Sequence, residues 1–322
     1  MMCGMQLKNY CTQVEATGRP LKKLNNRFAD FKSGFVTIAG APNVGKSTLL
    51  NRMIGEKISI TSQKPQTTRN RIIGIVHRPS SQIVFIDTPG VHRAKGPLNI
   101  RIVDVALSAL ADVDLILIVL DVTNPDPESE KLLIKRLGKQ KRPVILVLNK
   151  IDLIKKPELL SIIDKWTKAY PFEAIVPVSA KHGTQVEELI KAMERILPNG
   201  PPFFPEDAVT DMPERFIAAE MVREKVFRLT GEEIPYSTAV TVDSFSEDAK
   251  GSLIKIYATI HVERDSQKGI IIGKSGSKLK KIGEEARMEI QRMVGAKVFL
   301  KLFVRVQKNW SRDTKALRRF GY

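Results

Sequence analysis

Five short, almost wholly apolar runs constrain this chain more than any other feature. They are 35–39, 83–86, 115–120, 144–148 and 175–178, and they show little of the polar alternation of a half-exposed strand. Strands this apolar are buried on both faces, as in a parallel sheet covered by helices on each side. Amphipathic stretches near 46–55, 98–111, 127–139, 157–169 and 184–196 fill the gaps. The alternation predicts a doubly wound α/β domain with a mostly parallel sheet.

That pattern stops at four prolines, Pro198, Pro201, Pro202 and Pro205, which cannot continue a helix and read as a semi-rigid linker. Beyond them the order changes to a helix (about 213–229), two strands (about 236–246 and 251–263), helices around 268–294 split by a glycine turn, and a strand (about 297–306). The expected division is an extension over 1–33, a first domain over 34–197, a linker over 198–212, a smaller α+β domain over 213–308 and a basic tail over 309–322. A chain of 322 residues holds two cores comfortably. Its only cysteines, Cys3 and Cys11, exclude a disulfide framework or a four-ligand zinc site in the body and make a reducing, cytoplasmic location the expectation. No run of 18 apolar residues and no signal-peptide pattern is present, so contact with a membrane would be peripheral.

Charge narrows the partners. Lys and Arg number 52 against 35 Asp and Glu, a net +17 that favours polyanions such as nucleic acid or an anionic membrane. Residues 213–260 carry 6 basic and 8 acidic side chains, whereas 261–322 carry 16 and 6, so a polyanion is expected on the C-terminal half.

Gly40-Ala41-Pro42-Asn43-Val44-Gly45-Lys46-Ser47 completes a G-x-x-x-x-G-K-S pattern between an apolar strand and the helical run that Thr48 continues. Its glycines let the backbone wrap a phosphate chain, and successive N–H groups at a helix start favour anions. Lys46 then reaches the β- and γ-phosphates, and the Ser47 hydroxyl ligates Mg²⁺. Asp87-Thr88-Pro89-Gly90 ends the strand 83–86 and places a carboxylate at the ligand-binding edge of such a sheet. Asp87 is the expected metal-side group, with the Gly90 amide a donor to the γ-phosphate. Asn149-Lys150-Ile151-Asp152 follows the strand 144–148, and Ser179-Ala180-Lys181 the strand 175–178. Asp152 can accept guanine N1–H and its exocyclic amine together, a donor pair that adenine lacks. Asn149 ties neighbouring loops, the Lys150 stem covers the purine face, and the Ala180 amide points to guanine O6. The chain is therefore expected to bind GTP and GDP.

These motifs, in this order over 34–197, resemble the translation-factor-like GTPase superfamily. The resemblance implies that Gln66-Thr67-Thr68-Arg69 is the first switch loop, with Thr68 on Mg²⁺ and the γ-phosphate. Val91 stands where Ras-like relatives carry a water-positioning glutamine, which implies slow intrinsic hydrolysis. Asn43 matches the asparagine that in similar GTPases helps hold K⁺, although it can equally cap its own loop. Lys46, Thr68, Gly90 and Asn43 are the expected catalytic set.

In the second domain, Gly273-Lys274-Ser275-Gly276 forms a G-x-x-G turn between helices. Ile271, Ile272, Leu279 and Ile282 are expected to pack inward, with Lys278, Lys280 and Lys281 along one edge. This resembles a KH module of the second topological type, which clamps about four nucleotides. Phe303 is read as core, Trp310 as part of the tail, and the tail cations as either a solvated end or a phosphate-contacting arm. A GTPase domain followed by one KH domain resembles the Era family of bacterial ribosome-assembly GTPases. The resemblance implies binding near the 3′ end of 16S ribosomal RNA during maturation of the 30S subunit, and peripheral membrane contact in some members. The rival readings are a constitutive RNA-binding adaptor with a structural nucleotide and a membrane-surface GTPase.

Overall fold

The computed structural model describes residues 28, 30–61, 72–87, 113–138, 141–231, 234, 237–248 and 252–320. The anticipated helix near 98–111, the loop 66–69, Thr88, Pro89, Gly90, Val91 and both cysteines lie outside them.

The first unit follows the expected alternation: β1 (Lys32–Ala39), α1 (Lys46–Ile54), β2 (Ile72–Arg78), β3 (Ser81–Asp87), β4 (Leu115–Asp121), α2 (Pro127–Leu137), β5 (Val144–Asn149), α3 (Lys156–Ala169), β6 (Ala174–Val178) and α4 (Val186–Ile196). The sheet order is β2-β3-β1-β4-β5-β6. Among the described strands of this sheet only β2 runs antiparallel, paired to β3 as a hairpin. Every residue of β3 and β4 is buried; helices cover β4, whereas on one face of β3 Val84 packs with Phe203, Phe204 and Ala208 of the proline-rich segment. Val36, Ile38, Leu117 and Val147 pack with Leu49, Leu50 and Leu189 of α1 and α4. Ile116, Ile118 and Leu146 pack on the other side with Leu137 and Trp166 of α2 and α3. Strand β1 starts at Lys32, two residues inside the expected extension, because the Lys32 and Ser33 amides bond Ser80 and Pro198 carbonyls.

The proline-rich segment is not a free spacer. Gln82 accepts the Phe203 and Phe204 amides at 2.6 and 3.0 Å, the Ile75 amide bonds the Val209 carbonyl, and Thr210 Oγ1 donates to the Ile73 carbonyl at 2.6 Å. Phe203 also stacks on Phe35 with ring centroids 4.7 Å apart. The segment is thus bound along the β2–β3 hairpin.

The second unit contains α5 (Glu214–Leu229), β7 (Ala239–Glu247), β8 (Leu253–Val262), α6 (Asp265–Ile272), α7 (Ser277–Val294), β9 (Lys297–Val306) and α8 (Thr314–Arg319). Its sheet order is β7-β8-β9, antiparallel then parallel. One sheet face buries Ile254, Ile256, Ala258 and Ile260 against Val222 and Val226 of α5 and Ile282 and Ile290 of α7. Two readings change here. Trp310 is fully buried and donates to the Ser237 carbonyl at 3.0 Å, so the tail is folded onto the domain. Phe303 is 45% exposed rather than core, because it falls on the sheet face that the helices do not cover.

Candidate nucleotide and RNA sites

Parallel pairing brings the chemistry to one rim. Ile38 pairs with Asp87, Ala39 with Ile118, Asp121 with Asn149, and Asn149 with Val178. The C-terminal ends of β1, β3, β4, β5 and β6 therefore present Gly40, Asp87, Asp121, Asn149 and Ser179 side by side, where doubly wound sheets take ligands.

The loop Gly40 to Ser47 wraps the start of α1. A Cβ on Gly40 would sit 2.3 Å from the Val119 carbonyl oxygen. Gly45 takes φ 98°, and a Cβ there would lie 2.3 Å from Asn149 Nδ2. Both positions need glycine for close backbone approach. Lys46 is buried, and its ammonium donates to the Gly40 and Ala41 carbonyls at 3.2 and 2.8 Å. Burial pulls its pKa down from 10.5 to about 8, opposed by the Asp87 charge. An anion placed in the loop would favour the charged form.

Ser47 Oγ and Ser59 Oγ donate to Asp87 Oδ2 at 2.9 and 3.0 Å. A hydroxyl beside a fully buried carboxylate is the all-oxygen donor set that a hard cation such as Mg²⁺ prefers. These residues fit that ion. Among the described residues, no cluster of three or more His, Cys, Asp or Glu forms a separate metal site.

Asn149 is the cross-brace of the rim. Its Nδ2 donates to the Val44 carbonyl at 2.7 Å, while its Oδ1 accepts the Ala180 amide at 3.0 Å. One buried amide thereby fixes the phosphate loop against the loop after β6. Lys150, at φ 69°, forms an ion pair with Asp121, whose other oxygen accepts the Thr123 amide and hydroxyl. A hydrogen bond from Ser179 holds the Asp152 carboxyl below its usual pKa, with smaller contributions from His182 and Lys181. It is therefore an ionised acceptor at neutral pH.

Three supports were not read from the sequence. Asp121 positions Lys150; a polar residue closing a buried strand could have pointed to it. Arg52 of α1 donates to the Ala180 carbonyl at 3.3 Å and to that of Lys181, bracing the loop from below. Asn51 donates to the Ser59 carbonyl at 2.6 Å and accepts the Ile58 and Ser59 amides. Arg52 and Asn51 had no local signal, since both occupy ordinary helical positions.

In the second unit, Gly273 (φ 71°), Ser275 (φ 51°) and Gly276 (φ 78°) make a left-handed turn between α6 and α7. A Cβ on Gly273 would approach Lys278 Cβ to 2.8 Å. Lys274, Ser275, Lys280 and Lys281 are exposed, and Lys278 is half-buried. Ile271 and Ile282 are fully buried, while Ile272 and Leu279 are partly so. The two units meet through charge. Lys57 Nζ lies 2.8 Å from both Glu224 of α5 and Glu289 of α7, and the Thr61 amide donates to Glu224 at 3.1 Å. Lys225 completes the network by pairing with Glu224 and Glu289.

A mostly parallel sheet with a glycine-rich loop opening α1 and an ionised carboxylate, Asp152, near its rim defines the P-loop nucleotide-binding class. Residues 35–150 match a family described as 50S ribosome-binding GTPase, and residues 233–311 match the KH domain family. GTPase Era of Geobacter metallireducens is 57% identical over 292 residues, covering 91% of this chain and 98% of that protein. GTPase Era of Geobacter sp. strain M21 is 59% identical over 293 residues, with the same shares of 91% and 98%. A crystal structure of an Era variant from Aquifex aeolicus bound to GDP.AlF4- superposes with a TM-score of 0.87 at 42% identity, covering 91% of this chain and 99% of that one. A structure of Era in complex with MgGDPNP and nucleotides 1506-1542 of 16S ribosomal RNA gives the same TM-score, identity and shares, 0.87, 42%, 91% and 99%. The chain belongs to the Era family of GTPases, and hydrolysis of GTP to GDP and phosphate is its reaction.

Proposed function

We propose that the chain is a GTP-dependent RNA-binding switch that engages 16S ribosomal RNA near its 3′ end and acts in maturation of the 30S subunit. The supporting relative is the Era structure that carries that RNA and MgGDPNP. In this reading residues 34–197 handle nucleotide and 213–308 handle RNA, with the segment 198–212 joining them.

In this reading the amides of Gly40 to Ser47, with Thr48 behind them, cradle the phosphates, and Lys46 carries the opposing charge. Ser47, Asp87 and Thr68 hold Mg²⁺, which neutralises charge on the phosphate oxygens. Asp152 selects guanine, with Asn149, Lys150, Ser179, Ala180 and Lys181 shaping its pocket. Thr68 and the segment Thr88 to Gly90 order around the γ-phosphate and release on hydrolysis. Asn43, at φ 63° in the phosphate loop, helps hold K⁺ as a stabilising charge in this reading. Faster turnover in KCl than in NaCl at matched ionic strength supports that role. Gly273, Lys274, Ser275 and Gly276, flanked by Lys278, Lys280 and Lys281, clamp the RNA backbone. The working location is the cytoplasm, with peripheral contact to an anionic membrane through the basic surface; no described helix is long and apolar enough to cross a membrane.

The observation that carries the switch is the contact of Thr61 with Glu224, because Thr61 directly precedes the segment containing Thr68. The last described residue before that segment is thereby bonded to a helix of the second unit. The test is binding of labelled ribosomal 3′-end RNA to the parent and to Gly273→Asp, with GDP and with a non-hydrolysable GTP analogue. Tight binding by the parent with the analogue, and its loss in Gly273→Asp, supports the proposal. Equal RNA affinity for both proteins in both nucleotide states contradicts it.

A further inference from the structure

The outer face of the β7-β8-β9 sheet carries a pattern that the G-x-x-G turn does not use. Successive side chains of a strand alternate faces, so Lys297, Phe299, Lys301, Phe303 and Arg305 of β9 share one face. All five are exposed, and both phenylalanines are 45% so. The adjoining positions on β8 are Lys255 opposite Phe299, Tyr257 opposite Lys301, and Thr259 opposite Phe303. Tyr257 and Phe299 have ring centroids 6.1 Å apart, and Lys301 Nζ lies 5.4 Å from the Phe303 ring centre.

The folded tail covers part of this face and stops. Trp310, Leu317 and Phe320 cluster on Ala239, and Phe320 lies against His261 with centroids 4.4 Å apart. The Phe299 to Phe303 half is left open. Its acidic neighbour Asp243 already accepts the Thr241 and Thr259 hydroxyls at 3.2 and 2.6 Å. The open half therefore presents two aromatic rings interleaved with Lys255, Lys297, Lys301 and Arg305. An apolar protein surface docked there would desolvate those cations without pairing them, which is costly. A polyanion with flat apolar units satisfies both components at once.

We propose that the outer face of β8 and β9 is a second RNA contact, on which unpaired bases stack against Phe299 and Phe303 while Lys255, Lys297, Lys301 and Arg305 neutralise the adjoining phosphates. This rests on the RNA-binding reading of the domain and adds a surface distinct from the glycine turn. The longer RNA is held at two places, and the sheet face tolerates base identity because every base offers a stacking face.

The test uses the full chain with two probes, the ribosomal 3′-end RNA and a single-stranded RNA of about four nucleotides, the length that one KH clamp holds. Phe299→Ala/Phe303→Ala weakens the longer RNA at least about tenfold and leaves the short one at parental affinity. Phe299→Leu/Phe303→Leu, which keeps apolar area but removes the rings, gives a similar loss. Lys301→Ala lowers the salt-dependence slope for the longer RNA by about 1. Melting temperatures at the parental value show that each variant is folded. Parental affinity of the alanine pair for the longer RNA overturns the proposal, as does full rescue by the leucine pair. Loss of binding to phosphatidylglycerol vesicles in the alanine pair, with RNA binding intact, assigns the face to membrane and also overturns it. If Gly273→Asp binds the short RNA as the parent does while the phenylalanine pair loses the longer one, the glycine-turn reading fails and the sheet face stands.

Discussion

His261 shows how one buried group sets a pH limit on this fold. It sits under Phe320, with its Nε2 2.9 Å from Thr241 Oγ1. Burial lowers its pKa from 6.5 to about 4; the Asp243 charge opposes the shift, and Arg319 and Arg305 reinforce it. Between those two values the unfolded chain binds the proton and the folded chain does not, so stability falls as pH drops from about 6.5 towards 4. Thermal denaturation across that window is expected to show a steeper loss for the parent than for His261→Gln, which removes the titration. Asn149 is the corresponding single-residue constraint at the nucleotide site. Asn149→Ala leaves the Ala180 amide and Val44 carbonyl without their buried partner, which costs about 1–3 kcal/mol per unsatisfied group. Lower stability together with weaker nucleotide binding in that variant, measured by denaturant titration and calorimetry, is the expected result.

At the scale of elements, the loop after β6 is braced by a helix far away in sequence. Arg52→Ala removes the donors to the Ala180 and Lys181 carbonyls. Faster amide hydrogen exchange over 180–183, with β5 and β6 exchanging as in the parent, is the expected signature. This brace also marks the limit of what the sequence discloses. The apolar runs and glycine turns report strands, helices and their ends because those signals are local, and the rim residues at 40–47, 87, 149–152 and 179–181 were legible for that reason. Arg52, Asn51 and Asp121 were not, since their importance lies in partners that only the fold brings near. Phe303 misled because an apolar residue in a strand usually faces a core, and nothing within β9 tells which face remains open. The proline-rich segment shows the same limit: proline rules out a helix and signals a linker, but its docking along the β2–β3 hairpin depends on Gln82, Ile73 and Ile75, which only the fold brings near.

At the scale of the whole molecule, nucleotide and RNA units meet through Lys57, Glu224, Lys225 and Glu289. Burial raises the Glu289 pKa, but hydrogen bonds from Lys225 and Lys57 outweigh it and hold the carboxyl below its ordinary value. Its stabilising contribution is therefore present above the ordinary carboxylate range and lost in acid, as pH falls through the lowered folded value. Glu224→Gln keeps the shape of the contact but weakens the charge pairing to Lys57. It is expected to leave GTP affinity in the absence of RNA near the parental value while reducing the nucleotide dependence of RNA binding. The most direct measurement is a thermodynamic cycle on the parent: RNA affinity with GDP and with a non-hydrolysable GTP analogue, and the affinities of both nucleotides with and without RNA. The account predicts that the analogue tightens RNA binding relative to GDP, by a factor in the range of about 5–150, and that RNA increases the preference for analogue over GDP by the same factor. A factor of one on both arms would contradict it, leaving two domains that share a chain without communicating.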